Sequence, residues 1–250
     1  MSRDVGRGTR DAEDSRGDAE PSRAPTTDPQ DELFDVLDAE GQPTGVVKPR
    51  GEVHRDGDWH AALHIWVGGV GEDGPFALFQ RRSLTKDTWA GYLDTTVGGH
   101  LRSGETLDET VREANEEIGL DVSLADLTFV GRHFIAASDG TVAERELHLV
   151  HVARSDRPLP EYRLHPEEVA SLVAIPIDDA IAICAGTLDR VSGTECTRDG
   201  DISEVILSAD DFVGLALDST YPRLALTALR ELLAGRQPEP FELRSYHLGE

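Results

Sequence analysis

An α/β sandwich is the fold class this 250-residue sequence predicts. Three observations carry it: apolar β-forming segments precede one amphipathic helix, more such segments follow it, and Leu-rich helices close the chain. The length suits one generous domain with extensions. Residues 1–30 are rich in Asp, Arg, Gly, Ser and Pro and nearly empty of large apolar side chains, so they read as a disordered tail. The body of the domain is expected over 31–186, and 187–250 as a helical C-terminal extension.

Taken in order, Phe34, Val36 and Leu37 lead into a turn at Glu40 to Gln42 and the chain returns through Val46 and Val47, which predicts a β-hairpin. "ALHIWVGGV" and "FALFQRR", separated by the turn-like "GEDGP", predict two paired strands. A helix is predicted over Leu107 to Ile118. After it, "LTFVGRHFIAA" and "ERELHLVHVA" flank Asp139-Gly140, a hairpin signal. In the second arm Glu144, Glu146 and His148 share one face, with Leu147 and Leu149 on the other. "IPIDDAIAICAG" and "DSTYPRLALTALRELLAG" predict helices, the latter with Leu224, Leu226, Leu229, Leu232 and Leu233 as a stripe and Gly235 as its stop.

A formal net charge of -24 argues against nucleic-acid or anionic-membrane surfaces. It also fits a heavily solvated surface or adaptation to high salt. Two cysteines, Cys184 and Cys196, without CxxC spacing or a signal peptide, make a disulfide framework unexpected and point to a reducing cytoplasm. No apolar run approaches the ~20 residues a membrane helix needs.

On a helical wheel Glu109, Glu116 and Glu117 fall within about 60° of Glu113, while Leu107, Val111, Ala114 and Ile118 form a separate apolar stripe. A solvated face is the plain explanation of such a stripe. Three details weigh against it. Like-charged i,i+4 pairs repel by a few tenths of a kcal/mol where a lysine would attract. Glycines punctuate both ends, with Gly98-Gly99 and Gly104 before the helix and Gly119 after it. Clustered carboxylates are the ligand set that hard divalent cations prefer.

Gly99, Glu105, Arg112-Glu113, Glu116-Glu117 and Gly119-Leu120 resemble the Nudix box, GX5EX7REUXEEXGU with U a bulky aliphatic. The resemblance implies a Nudix-type α/β/α sandwich with a mixed sheet, metal-binding Glu113, Glu116 and Glu117, and an Arg112 that orients them. Two departures stand out: six residues, not seven, separate Glu105 from Arg112, and the U position is Ala114. The first puts at issue whether Glu105 keeps its part in bracing the loop.

Beyond the box, residues 33–153 resemble the branch that contains isopentenyl-diphosphate isomerases and hydrolase-like relatives. That likeness implies a His/Glu metal site at His54, His60, His100, Glu144 and Glu146, although the His54 to His60 gap is one residue short. The isomerases use a cysteine where this chain has Gly98, and glycine has no group for acid-base chemistry. Hydrolysis of a small-molecule diphosphate, with Mg²⁺ or Mn²⁺ as cofactor, is therefore the expected activity; isomerase-like activity and a non-catalytic binding module are the alternatives. Glu116, Glu144 and Glu146 are candidate general bases. Arg82 and Lys86 are candidate phosphate clamps, with Arg81 on the opposite strand face. Trp66, Trp89 and Tyr92 are read as core, with stacking on substrate as the alternative. The C-terminal segment carries no chemical motif; a core cover, a homodimer contact and a pocket wall all fit it.

Overall fold

The computed structural model describes residues 28–86, 88–138, 143–213 and 218–248. The expected tail up to residue 27 and the Asp139-Gly140 turn lie outside them. The chain opens with the expected hairpin, β1 (Leu33–Leu37) and β2 (Pro43–Pro49), as a two-stranded antiparallel sheet. Its turn is closed by the Asp38 carboxylate, which accepts from the Glu40 and Gln42 amides at 3.0 and 2.8 Å. The short helix α1 (Arg50–Asp56) follows and stops at Gly57 in the left-handed region.

The main sheet is mixed. β3 (His60–Gly71) and β4 (Gly74–Arg82) pair antiparallel, as do β7 (Thr128–Ser138) and β8 (Ala143–Arg154), whereas β3 runs parallel to β8. β5 (Leu93–Asp94) hangs on β4 and β6 (Val97–His100) on β3. β3 is shared lengthwise: Gly68 to Gly71 pair with β4, and Ala62 to Ile65 pair with β6. β6 therefore sits in a fork where the sheet opens.

Alternation along β3 builds two cores. Leu63, Ile65 and Val67 face Val111, Ala114 and Ile118 of the central helix, whose apolar stripe packs as predicted. Trp66 faces the other side, under α4 (Ile177–Cys184) and α5 (Thr220–Leu233), which contribute Ile183, Ala225, Leu226 and Leu229. Helix, sheet and helix thus form three layers. In α5 the fully covered leucines are Leu226, Leu229 and Leu233, with Leu224 and Leu232 partly covered.

The central helix comes in two pieces, α2 (Leu107–Thr110) and α3 (Arg112–Ile118), with Val111 between them. This changes the reading of Glu109. Its carboxylate accepts from the amide and hydroxyl of Thr106, both at 2.8 Å, in a capping box at the start of α2. Glu109 belongs to the cap and leaves the acidic stripe.

The C-terminal segment differs from a helical extension. Besides α5 it contains β10 (Arg190–Thr197), β11 (Ile202–Ser208) and β12 (Phe241–Leu248). β10 pairs with β9 (Val169–Pro176), β11 with β10, and β12 runs parallel to β7, so the segment lengthens the main sheet at both edges. The cause is legible in retrospect: two arms of alternating residues flank Asp199-Gly200, a hairpin turn with Gly200 at φ 86°. Among the described residues no helix is long and apolar enough to cross a membrane.

Because α5 and β12 cover one face and one edge of the sheet, a chain ending at residue 186 is expected to lose cooperative urea unfolding and to bind a hydrophobic dye.

Candidate active site

The two faces of β6 serve different groups. Val97 and Gly99 face the central helix, whereas Gly98 and His100 face the side lined by histidines. A Cβ on Gly99 would collide with Glu113 Cγ and lie 2.8 Å from its Cδ, so only glycine lets the Glu113 side chain cross the strand. A Cβ on Gly98 would meet ordinary contacts, 3.5 Å from Thr95 Cγ2 and 3.7 Å from His64 Nε2.

The glutamates of the box share a cleft of about 160 Å³ with Arg50, Lys86, Arg102 and His100. Arg112 ties three of the carboxylates together. It donates to Glu105 at 3.0 Å, to Glu116 at 3.0 Å and to Glu113. Glu105 thus keeps its contact despite the missing residue, and it also accepts from the Arg102 amide at 3.0 Å. Glu117 is 4 % exposed, with the Gln80 amide at 3.5 Å and the Gly98 N–H at 3.4 Å as long-range partners. Burial, reinforced by the charges of Glu113 and Glu168, pushes its carboxyl well above the usual range. Burial also raises Glu113, against the pull of Arg112. A divalent cation reverses both shifts, which is the sense in which the donor chemistry fits one.

A second set lies beyond β6. Register places His60 beside Glu146 and Ala62 beside both His100 and His148, so the pleat collects imidazoles around one carboxylate. Among the described residues, ligand atoms of His54, His60, His100 and Glu146 lie within 4.8 Å of one another; those of Glu113, Glu116 and Glu117 do not form such a set, and Arg112 pairs with two of them. His60 Nδ1 bonds the Asp58 carbonyl at 3.1 Å, which puts its proton there and leaves Nε2 as a lone pair toward His54 and Glu146. His100 Nδ1 is 3.3 Å from Arg50, a pure donor, so its proton is on Nε2 and is given to Glu146 at 3.1 Å. Burial lowers His100 to about 3. Burial opposes the charge on Glu146, but hydrogen bonds from His100 and His148 outweigh it and hold the carboxyl well below its usual range. Neutral imidazole and ionised carboxylate are the ligating forms.

His64 and His148 also stand near Glu146. Their rings are stacked at 3.8 Å with 19° between the planes, so their in-plane lone pairs run side by side and do not converge on one ion. They are better described as the wall of a cavity of about 130 Å³ that adjoins the glutamate cleft across Gly98, Gly99 and His100.

The clamp residues separate. Arg82 lines the histidine cavity and is held by Asp94 at 3.1 Å and the Thr88 carbonyl at 3.1 Å. Lys86 lines the glutamate cleft, paired with Asp28 at 2.5 Å and Glu168 at 2.6 Å. Arg81 turns to the opposite face and pairs with Glu195. The Glu144 side chain lies outside the described residues. Trp66 is core, Trp89 lines the cavity, and Tyr92 is partly exposed against Trp89.

Sequence reasoning missed Arg50, which lines both cavities with a buried Nε that has no hydrogen-bond partner among the described residues. Its i,i+4 spacing from His54 was the available signal. It also missed His64, His133, Asp218 and Tyr221 on the cavity wall.

Residues 58–192 match the NUDIX domain family model. The chain belongs to the Nudix family. It is 37% identical over 154 residues to Nudix hydrolase 3 of Arabidopsis thaliana, covering 60% of this chain and 20% of that protein. An uncharacterised Nudix hydrolase of Clostridium acetobutylicum is 33% identical over 190 residues, 74% of this chain and 91% of that one. An isopentenyl-diphosphate Delta-isomerase of Cutibacterium acnes is 34% identical over 155 residues, 60% of this chain and 76% of that one. The chain thus spans a fifth of the plant relative's length and nearly all of the clostridial one's. Nudix enzymes generally use divalent metal ions.

Gly99→Ala is expected to displace Glu113 and weaken Mn²⁺ binding at least tenfold by calorimetry, while Gly98→Ala leaves the melting temperature nearly unchanged. A second expectation concerns His133, which burial lowers to about 3 from its ordinary 6.5. Between those values the unfolded chain binds the extra proton, so this residue's share of stability is complete above pH 6.5 and is lost as pH falls toward 3. Relative to wild type, His133→Phe should therefore gain roughly 1 kcal/mol per pH unit between pH 6 and 5 in urea titrations.

Proposed function

We propose that this chain is a divalent-metal-dependent hydrolase that cleaves the diphosphate linkage of a small organic diphosphate, of the nucleoside-diphosphate type in the family's manner. The observation that carries this reading is the cleft where Glu113, Glu116 and Glu117 meet Arg50 and Lys86. In a chain of net charge -24, cations and carboxylates gathered in one cleft suit a phosphate ligand held jointly by side chains and an ion.

Glu113, Glu116 and Glu117 would hold Mg²⁺ or Mn²⁺, and His54, His60, His100 and Glu146 would hold a second ion. Bound there, such an ion neutralises phosphate charge and acidifies water. Arg50 supplies a donor between the two cavities. Water attacks phosphorus, the bridging P–O bond breaks, and the proton of the water passes to a carboxylate. Glu146 is a poor base, because His100 and His148 occupy its two oxygens. Glu116 suits the role: its side chain is 53% exposed in the cleft and, among the described residues, has one ion-pair partner, Arg112. Arg112 is the positioning residue that keeps it there.

The isomerase alternative needs a group on Gly98. Neither cysteine replaces it: Cys184 is buried in α4 with its thiol pushed up to about 12 by burial, and Cys196 is buried in β10. We also propose a cytoplasmic setting and no nucleic-acid partner, on the strength of the free thiols and the acidity.

Replacing Glu116 and Glu117 together by Gln is expected to lower Mg²⁺-dependent formation of monophosphate products, followed by chromatography, by roughly 10²–10⁴-fold in a screen of nucleoside diphosphate derivatives and prenyl diphosphates, with folding retained. Conversion of isopentenyl diphosphate to its dimethylallyl isomer by the wild type would instead favour the isomerase.

A further inference from the structure

A line of hydrogen bonds joins the C-terminal segment to Glu146. It starts at Asp218, just before α5, whose Oδ1 accepts from the Thr220 N–H at 2.8 Å and whose Oδ2 accepts from the Ser245 hydroxyl of β12. Burial opposes the charge on Asp218, but these hydrogen bonds outweigh it and lower the carboxyl, so the group only accepts. A hydroxyl has one proton, and Ser245 gives it to Asp218. His133 Nε2, 3.0 Å from the Ser245 oxygen, is therefore the donor to it.

The direction continues inward. His133 is buried, and burial lowers it to about 3, so the ring is neutral and its Nδ1 is a lone pair. His148 Nδ1, 3.3 Å away, donates to that lone pair, and His148 Nε2 donates to Glu146 Oε2 at 2.8 Å. The Tyr221 ring stacks on His133 at 4.3 Å with 17° between the planes, which fixes the plane in which the imidazole makes its bonds. With Oε2 engaged, Glu146 turns Oε1 to His100 at 3.1 Å and His60 at 3.5 Å, inside the histidine set. His133, His148 and Ser245 are all buried, where apolar side chains would fill the same space with no polar group to desolvate. What the polar line adds is a fixed orientation at its inner end.

We propose that Ser245 and Asp218 are positioning residues: through His133 and His148 they hold the Glu146 carboxylate with Oε1 toward His60 and His100, so the C-terminal segment completes the histidine set. The inference rests on the reading in which that set holds an ion. Partners one step behind a ligating group commonly change metal affinity by about 10- to 100-fold.

The test uses the full chain, first metal-free and then titrated with Mn²⁺. Nitrogen-15 NMR of the metal-free wild type should show His133 as the Nε2–H tautomer. In calorimetry Ser245→Ala should weaken the class of Mn²⁺ site that His60→Ala abolishes by about 10- to 100-fold, and leave the class that Glu117→Gln abolishes unchanged. Ser245→Thr, which keeps the hydroxyl, should restore most of the affinity. Asp218→Asn serves if Ser245→Ala does not fold. Its amide oxygen can keep the Thr220 N–H while its NH₂ faces Ser245, so the hydroxyl turns to His133 and the His133 proton should move to Nδ1. A wild-type His133 protonated on Nδ1, an unchanged histidine-class affinity in Ser245→Ala, or equal weakening of both classes would overturn the inference. A wild type with no Mn²⁺ class lost in His60→Ala would overturn the ion reading instead, and the His133 tautomer in wild type and Asp218→Asn would still decide the line from Asp218.

Discussion

The carboxyl group of Glu117 is buried with only two distant hydrogen-bond partners, and the rest of the site is arranged around that constraint. A carboxylate in such a place is unstable by itself. It is held there because Ala114 and Ile118 of the same helix pack into the core beneath β6, so the apolar back of α3 forces its acidic front into the cleft. Arg112 relieves part of the repulsion by taking Glu105, Glu113 and Glu116, but it does not reach Glu117 among the hydrogen bonds described. A divalent cation in the cleft would complete the arrangement we propose.

β6 links that constraint to the second one. Its adjacent glycines work on opposite faces: Gly99 admits Glu113, and Gly98 leaves room beside His64. The pleat makes this possible, since neighbours along a strand point to opposite sides. The same alternation on β3 and β8 sends Leu63 and Ile65 to one core while His60, His64, Glu146 and His148 gather on the other face. One strand fork thus sets a carboxylate cleft beside a cavity walled by histidines and apolar side chains.

The parts legible in the sequence were those written in local spacing. The box residues, the β1–β2 and β3–β4 pairs, and the apolar stripe of the central helix follow from turns and periodicity. Glu109 was misread because a wheel has no cap in it: Thr106 claims its carboxylate at the helix start. The strands β10 and β11 were passed over despite the Asp199-Gly200 turn, because the Leu-rich run of α5 dominated the segment. Tyr221 shows what no local pattern reveals. It looks like one more apolar position on α5, yet its hydroxyl meets His64, 157 residues away. Only the packing of α5 on the sheet makes it part of the site. Arg50 is similar, since its importance comes from lying between two cavities that form on folding.

The central claim is that two separate ligand sets flank β6, one of glutamates and one of histidines with Glu146. Calorimetric titration of the metal-free chain with Mn²⁺ tests it most directly. The account predicts two classes of site, one abolished by Glu117→Gln and the other by His60→Ala, each variant retaining the remaining class. A single class of site lost in neither variant, or no binding at all, would contradict it.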